Sequence, residues 1–206
     1  FKGKKKDGST LYLEVHAVPL IDDNRFVGTR AYLWDISHRK QIEEQLRAQT
    51  LQDELTGLHN RRGFTILAHQ QMKIANRNKE GFWILFADID NLKLINDKYG
   101  HRHGDNALKI VAKIIRASFR TSDIVARIGG DEFAALAIES HVKSEKLMIK
   151  RLHDNLRQYN VEHKHRHKPS ISIGAVFCEP QDSASIEELL ARADDLMYQD
   201  KRLHKS

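Results

Sequence analysis

The chain has 206 residues, 40% of them hydrophobic, which is enough for one large domain or for one ordinary domain with an appendage. Its formal net charge of +6 would permit nucleic-acid binding, but the basic residues are scattered, aromatic residues make up 7%, and no nucleic-acid motif accompanies them, so we expect no nucleic-acid partner. A single cysteine excludes an internal disulfide, and no apolar run approaches the ~20 residues of a membrane span, so these residues fit a cytoplasmic chain that missing N-terminal segments could still anchor to a membrane.

The first forty residues predict two strands joined by a turn. Residues 11–17 alternate between apolar and polar side chains, with the period of two that is typical of a half-buried strand. Asp22-Asp23-Asn24 predicts a turn, and a second strand follows from Arg25 to Asp35. Two strands alone cannot bury a stable core, so the chain is predicted to begin inside a domain.

Residues 37–52 predict a helix, with Ser37 as its cap. Apolar residues recur at Ile42 and Leu46, but Gln49 and Thr50 stand where the next apolar contact would fall. So thin a stripe is typical either of a weak, adjustable coiled coil or of a solvated spacer helix, and both interpretations stay open.

The rest of the chain predicts helices that alternate with strands, and therefore an α/β (α+β) fold with a mixed central sheet flanked by helices. Asp105 is predicted to cap one helix, and Ser185 with Glu188 to form a capping box for the last one. The predicted helices are 61–78, 91–98, one from Asp105 through Phe119, 144–159 and one after Ser185, and the predicted strands are 82–87, 124–128, 133–138 and 171–177.

Carboxylates cluster at the predicted strand ends. Asp88 follows the apolar run 82–87, and Asp131 and Glu132 follow the glycine pair Gly129-Gly130, which is expected to supply the backbone freedom of a hairpin turn. Carboxylates that converge at strand ends repel one another, and a hard cation with oxygen ligands is the usual reason to keep them together. An acidic turn that is merely solvated is the alternative.

Five motifs in a fixed order resemble the GGDEF family of diguanylate cyclases. The resemblance covers roughly residues 53–205 and implies the family's fold, which is similar to nucleotidyl cyclase and polymerase palm domains. The motifs are Asp53-Glu54-Leu55-Thr56-Gly57-Leu58-His59-Asn60-Arg61-Arg62-Gly63-Phe64, Asp88-Ile89-Asp90-Asn91-Leu92-Lys93-Leu94-Ile95-Asn96-Asp97, Gly100-His101, Gly104-Asp105 and Gly129-Gly130-Asp131-Glu132-Phe133.

A second resemblance concerns the N-terminal part. The run Trp34 to Gln41, followed by Glu43, Glu44 and Leu46, resembles the end of a PAS sensor domain and the helix that leads out of it. The resemblances together imply a partial PAS domain at 1–36, a signalling linker helix at 37–52 and a GGDEF domain at 53–206. An extra hairpin that belongs to the cyclase domain is the alternative.

The GGDEF resemblance implies a reaction in which two GTP molecules condense into cyclic di-GMP and release pyrophosphate. It implies two Mg²⁺ (or Mn²⁺) ions per site, bound by Asp88, Asp131 and the backbone carbonyl of Ile89. Asp131 also stands at the place of the base that takes the proton from the attacking hydroxyl. Glu132 is expected to support the metal site, and Arg127 either stabilises charge on phosphate or pairs with a nearby carboxylate.

The resemblance also implies which residues bind the substrate. Asn91 and Leu92 open a short helix whose free N–H groups favour phosphate, and Lys201 and Lys205 are expected to reach the outer phosphates. Asn96 and Asp105 match the positions that bind guanine, which predicts GTP rather than ATP. A pure helix cap is the alternative for Asp105.

Control by product and by dimerisation is implied as well. Arg120 and Asp123 have the Arg-x-x-Asp spacing at which the family binds cyclic di-GMP as an inhibitor, and Arg151 is a further candidate. Because each domain holds one GTP, a homodimer is expected for turnover, and a silent module that binds GTP or cyclic di-GMP is the alternative function. The residues 163–168, which include His163, His165 and His167, predict a solvated basic loop rather than a metal site.

Overall fold

The computed structural model describes residues 1–4, 10–42, 51–138, 144–163, 168–180 and 182–203. The chain divides into two compact units, Phe1–Thr50 and Leu51–Ser206. None of the helices in the described ranges combines the length and the hydrophobicity of a membrane-spanning segment.

The first unit is a three-stranded antiparallel sheet. Its strands are β1 (Lys2–Lys4), β2 (Thr10–Asp22) and β3 (Arg25–Asp35), in the order β1-β2-β3. The turn between β2 and β3 places Asp23 and Asn24 at φ 45° and 62°, the left-handed conformations that a two-residue hairpin loop favours. None of the described residues in this unit is buried, so these strands form no core of their own.

A helical segment, α1 (residues 37–42), follows β3. The prediction that Ser37 caps this helix is wrong. The hydroxyl oxygen of Ser37 accepts a hydrogen bond from the backbone N–H of Tyr12 at 2.9 Å. The backbone N–H of Ser37 donates to the Asp35 carboxylate at 2.9 Å. Ser37 therefore joins the helix start to β2, because its oxygen is used outside the helix.

The second unit has a central sheet with helices on both faces, which confirms the predicted class. Its strands pair antiparallel in the order β5-β6-β4-β7, and a parallel contact occurs at the isolated bridge between His59 and Ala126. The elements are α2 (Arg61–Asn78), β4 (Phe82–Ile89), α3 (Leu92–Tyr99), α4 (His101–Ser118), β5 (Ile124–Arg127), β6 (Glu132–Ile138), α5 (Ser144–Glu162), β7 (Ile171–Cys178) and α6 (Ile186–Leu203).

Strand β4 lies at the centre of two hydrophobic layers, as its continuous apolar sequence predicts. Its side chains alternate: Trp83 and Leu85 pack into the layer that includes α4 and α5, whereas Ile84 and Phe86 pack into the layer that includes α2 and α6. Burying each such side chain contributes roughly 1.5–3 kcal/mol. Both faces therefore hold β4 in place, and a polar group at its C-terminal end is presented from a well-packed strand.

The last helix approaches the sheet very closely. A Cβ atom on Gly174 of β7 would lie 2.0 Å from the carbonyl oxygen of Ala193 in α6. The predicted capping box of α6 is confirmed, since Ser185 N donates to Glu188 Oε2 at 2.9 Å and Glu188 N donates to Ser185 Oγ at 3.1 Å. Helix α6 is thus fixed both at its start and along its length.

The start of α4 differs from the prediction. The helix begins at His101 with Gly100, at φ 86°, as its cap residue, and no side chain caps it. Asp105 therefore lies inside the first turns of α4, and the prediction that it caps the helix is wrong. The reason is that α3 and α4 meet at Gly100, whose positive φ reverses the chain in a single residue.

Candidate active site

Two acidic strand ends meet at one edge of the sheet. Asp88 near the end of β4 lies directly opposite Glu132 at the start of β6 in the antiparallel register. The backbone N–H of Ile89 donates to the carbonyl oxygen of Asp131 at 3.1 Å, which joins the end of β4 to the turn before β6. The fold therefore brings Asp88 and Asp131 together, as the sequence predicts.

The turn needs its first glycine for a reason other than the predicted one. Neither Gly129 nor Gly130 is among the glycines with positive φ, so the expectation that they supply special backbone freedom is wrong. A Cβ atom on Gly129 would lie 1.9 Å from Oε2 of Glu132, whereas one on Gly130 would meet nothing within 4 Å. The missing side chain of Gly129 leaves room for the Glu132 carboxylate, whereas the space beside Gly130 could hold a Cβ atom.

Negative charge dominates the electrostatics of this edge. Burial raises the pKa of Asp88, and the charges of Asp131 and Asp90 raise it further against the opposing effect of Lys201. The Lys201 ammonium of α6 pairs with Oδ1 of Asp88, and these side chains are 22% and 14% exposed. One ammonium therefore leaves an excess of carboxylate, which a further cation would stabilise.

The donors at this edge fit the predicted metal ligands. Among the residues that the structure describes, no three His, Cys, Asp or Glu side chains group as a metal site by themselves. Asp88, Asp131 and the Ile89 carbonyl offer two carboxylates and one backbone oxygen, and Mg²⁺ is usually bound by one or two carboxylates together with substrate phosphates. The set is thus of the kind that a phosphate-bearing substrate completes.

The Glu132 side chain has different neighbours from those of Asp88. It lines a cavity of about 430 Å³ together with Arg61 of α2 and Asp194 of α6. Burial raises its pKa, and the negative charge of Asp131 adds to this effect. Glu132 therefore has Arg61 and Asp194 as cavity neighbours, whereas Asp88 has Lys201 as its partner.

A helix start adjoins the carboxylates on the other side. Asn91, at φ 57°, turns the chain from β4 into α3, and its side chain makes no capping hydrogen bond. Leu92 begins α3, so N–H groups of the first turn lack helical partners and are available to an anion. Lys201 lines a cavity together with Asn91, while Lys205 lies outside the described residues.

The predicted guanine-binding residues Asn96 and Asp105 lie on the consecutive helices α3 and α4. A Cβ atom on Gly104 would lie 1.9 Å from Oδ1 of Asn96, so the Asn96 amide rests directly against the first turns of α4. Asp105 follows Gly104 and is exposed. The Asn96 amide thus meets α4 one residue before Asp105, and Gly104 is what lets the amide approach.

Arg127 contacts a carboxylate and a backbone carbonyl, and the sequence alone did not decide between its two predicted roles. Its Nη1 atom lies 3.3 Å from both carboxylate oxygens of Asp53, while Nε and Nη2 donate to the Gly130 carbonyl oxygen at 3.1 and 2.7 Å. The sequence predicted that Arg127 either stabilises charge on phosphate or pairs with a carboxylate, and the structure shows the pairing with a carboxylate. Arg127 thereby ties the segment that begins the second unit to the turn that precedes Asp131.

Asp53 is a site residue whose role the sequence reasoning did not identify. Its Oδ1 accepts from the Thr56 N–H at 2.9 Å and from the Thr56 hydroxyl at 2.6 Å. Burial acts to raise the pKa of Asp53, but the hydrogen bonds from Thr56 and the charge of Arg127 outweigh it and lower the pKa below its ordinary value. The spacing of Asp and Thr three residues apart was the available signal, since it is typical of a side-chain-capped turn.

The three residues of the predicted product site line one cavity. Arg120, Asp123 and Arg151 surround a space of about 360 Å³ beside the end of β6. Asp123 is 7% exposed, and its Oδ2 accepts from the Arg120 N–H at 2.8 Å. Burial raises the pKa of Asp123 against the three nearby guanidinium groups, which include that of Arg116.

The histidine-rich segment falls largely outside the described residues, which omit 164–167. His163 stacks on the ring of Tyr159 with the centroids 4.1 Å apart, and its Nδ1 lies 3.1 Å from the Tyr159 carbonyl oxygen. The expectation of a solvated basic loop therefore stays a prediction.

Comparison with known proteins gives a consistent result. The family described as "Diguanylate cyclase, GGDEF domain" matches residues 50–206. The cyclic di-GMP phosphodiesterase NbdA of Pseudomonas aeruginosa is 37% identical over 161 residues, which are 76% of this chain and 20% of that protein. The diguanylate cyclase DgcM of Escherichia coli K12 is 31% identical over 208 residues, which are 98% of this chain and 48% of that protein.

A solved structure supports the same grouping. It concerns the interaction of a microbial GGDEF domain with cyclic di-GMP, and the match has 31% identity and a TM-score of 0.62 over 74% of this chain and 94% of that one. The chain spans about half or less of the length of the two curated relatives. Over residues 50–206, the chain belongs to the GGDEF family of diguanylate cyclase domains.

Proposed function

We propose that this chain is an active diguanylate cyclase that joins two GTP molecules into cyclic di-GMP and releases two pyrophosphates. The observation that supports this most directly is the hydrogen bond from Ile89 N–H to the Asp131 carbonyl, which holds two carboxylate-bearing strand ends at one point. A displacement at phosphorus needs positioning and charge neutralisation more than covalent participation. Carboxylates that would hold a metal ion, beside the start of a helix, suit both needs.

Within this proposal each residue has a distinct task. Asp88, Asp131 and the Ile89 carbonyl would hold Mg²⁺ or Mn²⁺, two ions per site, which would neutralise phosphate charge when bound. Asp131 accepts the proton of the attacking 3′-hydroxyl. Lys201 exchanges its partner from Asp88 to a substrate phosphate, and Lys205 is proposed as a second phosphate cation.

Arg127 is proposed as a positioning residue rather than a catalytic one. Its guanidinium holds the Gly130 carbonyl from one side and Asp53 from the other, which fixes the backbone just before Asp131. A guanidinium that is committed to these partners has few donors left for phosphate.

The base specificity follows from the junction of α3 and α4. The Asp105 carboxylate accepts from the two N–H groups on the edge of guanine, and Asn96 supplies an amide beside it. Adenine lacks that pair of donors, so GTP is the proposed substrate.

Regulation is proposed at two levels. The cavity of Arg120, Asp123 and Arg151 is proposed to bind cyclic di-GMP as an inhibitor, since guanidinium groups suit phosphate and a carboxylate suits the guanine edge. Because one domain binds one GTP, turnover requires two copies. The partial PAS domain at 1–36 and the linker at 37–52 are proposed to control how those copies meet.

A silent binding module is the second candidate. A relative with 37% identity is named a cyclic di-GMP phosphodiesterase, so a GGDEF domain can belong to a protein with a different activity. In that case GTP or cyclic di-GMP would bind without turnover.

The deciding experiment incubates the purified chain with GTP and Mg²⁺ and measures cyclic di-GMP and pyrophosphate. We expect both products in the wild type and none in Asp131→Asn, while the matched control Asp195→Asn, an exposed carboxylate of α6, keeps full activity. Activity should rise more than linearly with protein concentration. Binding of GTP without product in the wild type would refute the cyclase and support the silent module.

A further inference from the structure

A cavity of about 530 Å³ lies beside the candidate active site, between α5 and the start of β7. Its walls include Arg157 and Asn160 of α5 and Lys168 before β7, none of which has a role in the proposed reaction. It shares Asn91 and Lys201 with the predicted phosphate-binding side. Its volume falls within the roughly 300–1,000 Å³ of small-molecule sites.

The cavity is lined by more positive than negative charge. Arg157, Lys168 and Lys201 face one lining carboxylate, Asp90, which accepts a hydrogen bond from the Ser172 hydroxyl at 2.7 Å. Arg157 is held through a contact of 3.2 Å with Asp154, but these side chains are 75% and 47% exposed. An exposed pair of this kind contributes little to stability, so Arg157 can turn to an anion at small cost.

A buried hydrogen-bond acceptor adds a second, uncharged requirement. The Nδ2 atom of Asn160 donates to the Pro169 carbonyl oxygen at 2.9 Å, which fixes the amide. Its Oδ1 atom is buried and, within the described part of the chain, has no hydrogen-bond partner. A buried acceptor without a partner is unfavourable, and a ligand N–H or O–H would recover this free energy.

The remaining wall is apolar. Leu156 and Ile171 are 4% and 6% exposed and both line the cavity, and Pro169 is fully buried beside them. A flat or apolar ligand group would therefore find a dry surface next to the cations. Charge, acceptor and apolar wall together define a ligand with a phosphate, a donor group and a ring system.

We propose that this cavity binds a nucleoside monophosphate at a site that adjoins the substrate site. Arg157 and Lys168 hold the phosphate, Asn160 Oδ1 accepts from the base or the ribose, and the ring lies on the wall of Leu156 and Ile171. Because Asn91 and Lys201 belong to both sites, occupancy of the cavity weakens GTP binding. The proposal does not depend on cyclase activity, since a silent GGDEF module would have the same cavity.

The test is an amide NMR titration of the full chain with GMP, without Mg²⁺, and with inorganic phosphate and guanosine in parallel. We expect saturable shifts at 153–161 and 168–171 with GMP and at least tenfold weaker binding of either fragment. In Arg157→Gln/Lys168→Gln the GMP affinity should fall at least tenfold, whereas Lys113→Gln, an exposed lysine of α4, should leave it unchanged. Asp131→Asn, which removes the proposed chemistry, should bind GMP at these residues like the wild type.

Three results would overturn the proposal. Shifts confined to residues 91–105 would place GMP at the substrate site alone. Equal affinity for inorganic phosphate and GMP would show that the cavity does not recognise the nucleoside. An unchanged GMP affinity in the double variant would show that Arg157 and Lys168 do not bind the phosphate. The titration measures binding and not turnover. Its result therefore stays interpretable even if the chain makes no cyclic di-GMP.

Discussion

Replacing Arg127 by Gln should loosen the catalytic turn without unfolding the domain. The guanidinium bridges two elements that are far apart in the chain, because it contacts Asp53, 74 residues away, and the Gly130 carbonyl next to Asp131. Gln is too short and uncharged to reach both partners. The substitution therefore separates the start of the second unit from the turn.

The expected loss of stability follows from the burial of the pair. The side chains of Arg127 and Asp53 are 14% and 23% exposed, so this ion pair is better shielded from water than a surface pair. Hydrogen bonds to charged groups contribute about 1.5–3 kcal/mol, while residual solvent screening reduces the value, so we expect a loss of about 2 kcal/mol. For a chain of this size that corresponds to a fall in melting temperature of about 4–8 °C.

The assay combines thermal unfolding with steady-state kinetics. A cycle of Arg127→Gln, Asp53→Asn and the double variant isolates the pair itself, and we expect a coupling energy of about 0.5–3 kcal/mol. In the cyclase assay kcat should fall about tenfold, which is 1.4 kcal/mol in the barrier, with little change in KM, because the turn and not the nucleotide contact is altered.

Two outcomes would refute this reasoning. A melting temperature within 1 °C of the wild type would show that the bridge contributes little to stability, and a raised KM with unchanged kcat would show that Arg127 binds substrate directly. Arg157→Gln is the matched stability control, because its pair with Asp154 is exposed and its loss should cost no more than about 0.5 kcal/mol.

Three further predictions concern pH, packing and reactivity. The pKa of Asp53 is lowered in the folded chain, so the carboxylate stabilises the fold fully above its ordinary pKa of 3.8, and this effect is lost as the pH falls through the folded-state pKa. The unfolding free energies of the wild type and of Asp53→Asn should therefore converge as the pH is lowered. A difference that stays constant with pH would contradict this. Gly174→Ala places a methyl group 2.0 Å from the Ala193 carbonyl and should destabilise the domain by about 3 kcal/mol in denaturant unfolding, and an unchanged midpoint would mean that α6 can shift freely. Cys178 is 1% exposed with its pKa raised to about 11, chiefly by burial, so iodoacetamide at pH 8 should modify it far more slowly in the folded than in the denatured chain, and equal rates would disprove its burial.

The sequence was sufficient wherever local patterns determine structure. The bounds of α2 agree with the prediction because Asn60 caps the helix by accepting from Gly63 N–H at 2.8 Å, and Lys79 ends it in a left-handed conformation. The buried centre of β4 was predictable from its unbroken apolar run. The edge where Asp88 and Asp131 meet followed from the family motifs together with these local signals.

Contacts between distant residues were not predictable in the same way. No periodicity connects Lys201 with Asp88, and none connects Arg127 with Asp53, since these pairs depend on how strands and helices pack. The role of Gly129 was misjudged for a related reason: a preference for glycine is visible in the sequence, but the side chain that requires it is not. The cavity residue Arg157 gave no motif, because an ordinary charged helix face has the same composition, and Lys168 was noticed only as part of a basic loop.

The pair of Asp88 and Lys201 has a consequence for how the protein is made. The two residues are 113 positions apart, so during synthesis β4 leaves the ribosome long before α6 is complete. Until α6 docks on β7, Asp88 lacks the Lys201 ammonium with which it pairs in the described part of the domain. This edge should be among the last parts of the domain to acquire its native structure, and a nascent chain that lacks α6 should be inactive even if its sheet is already formed.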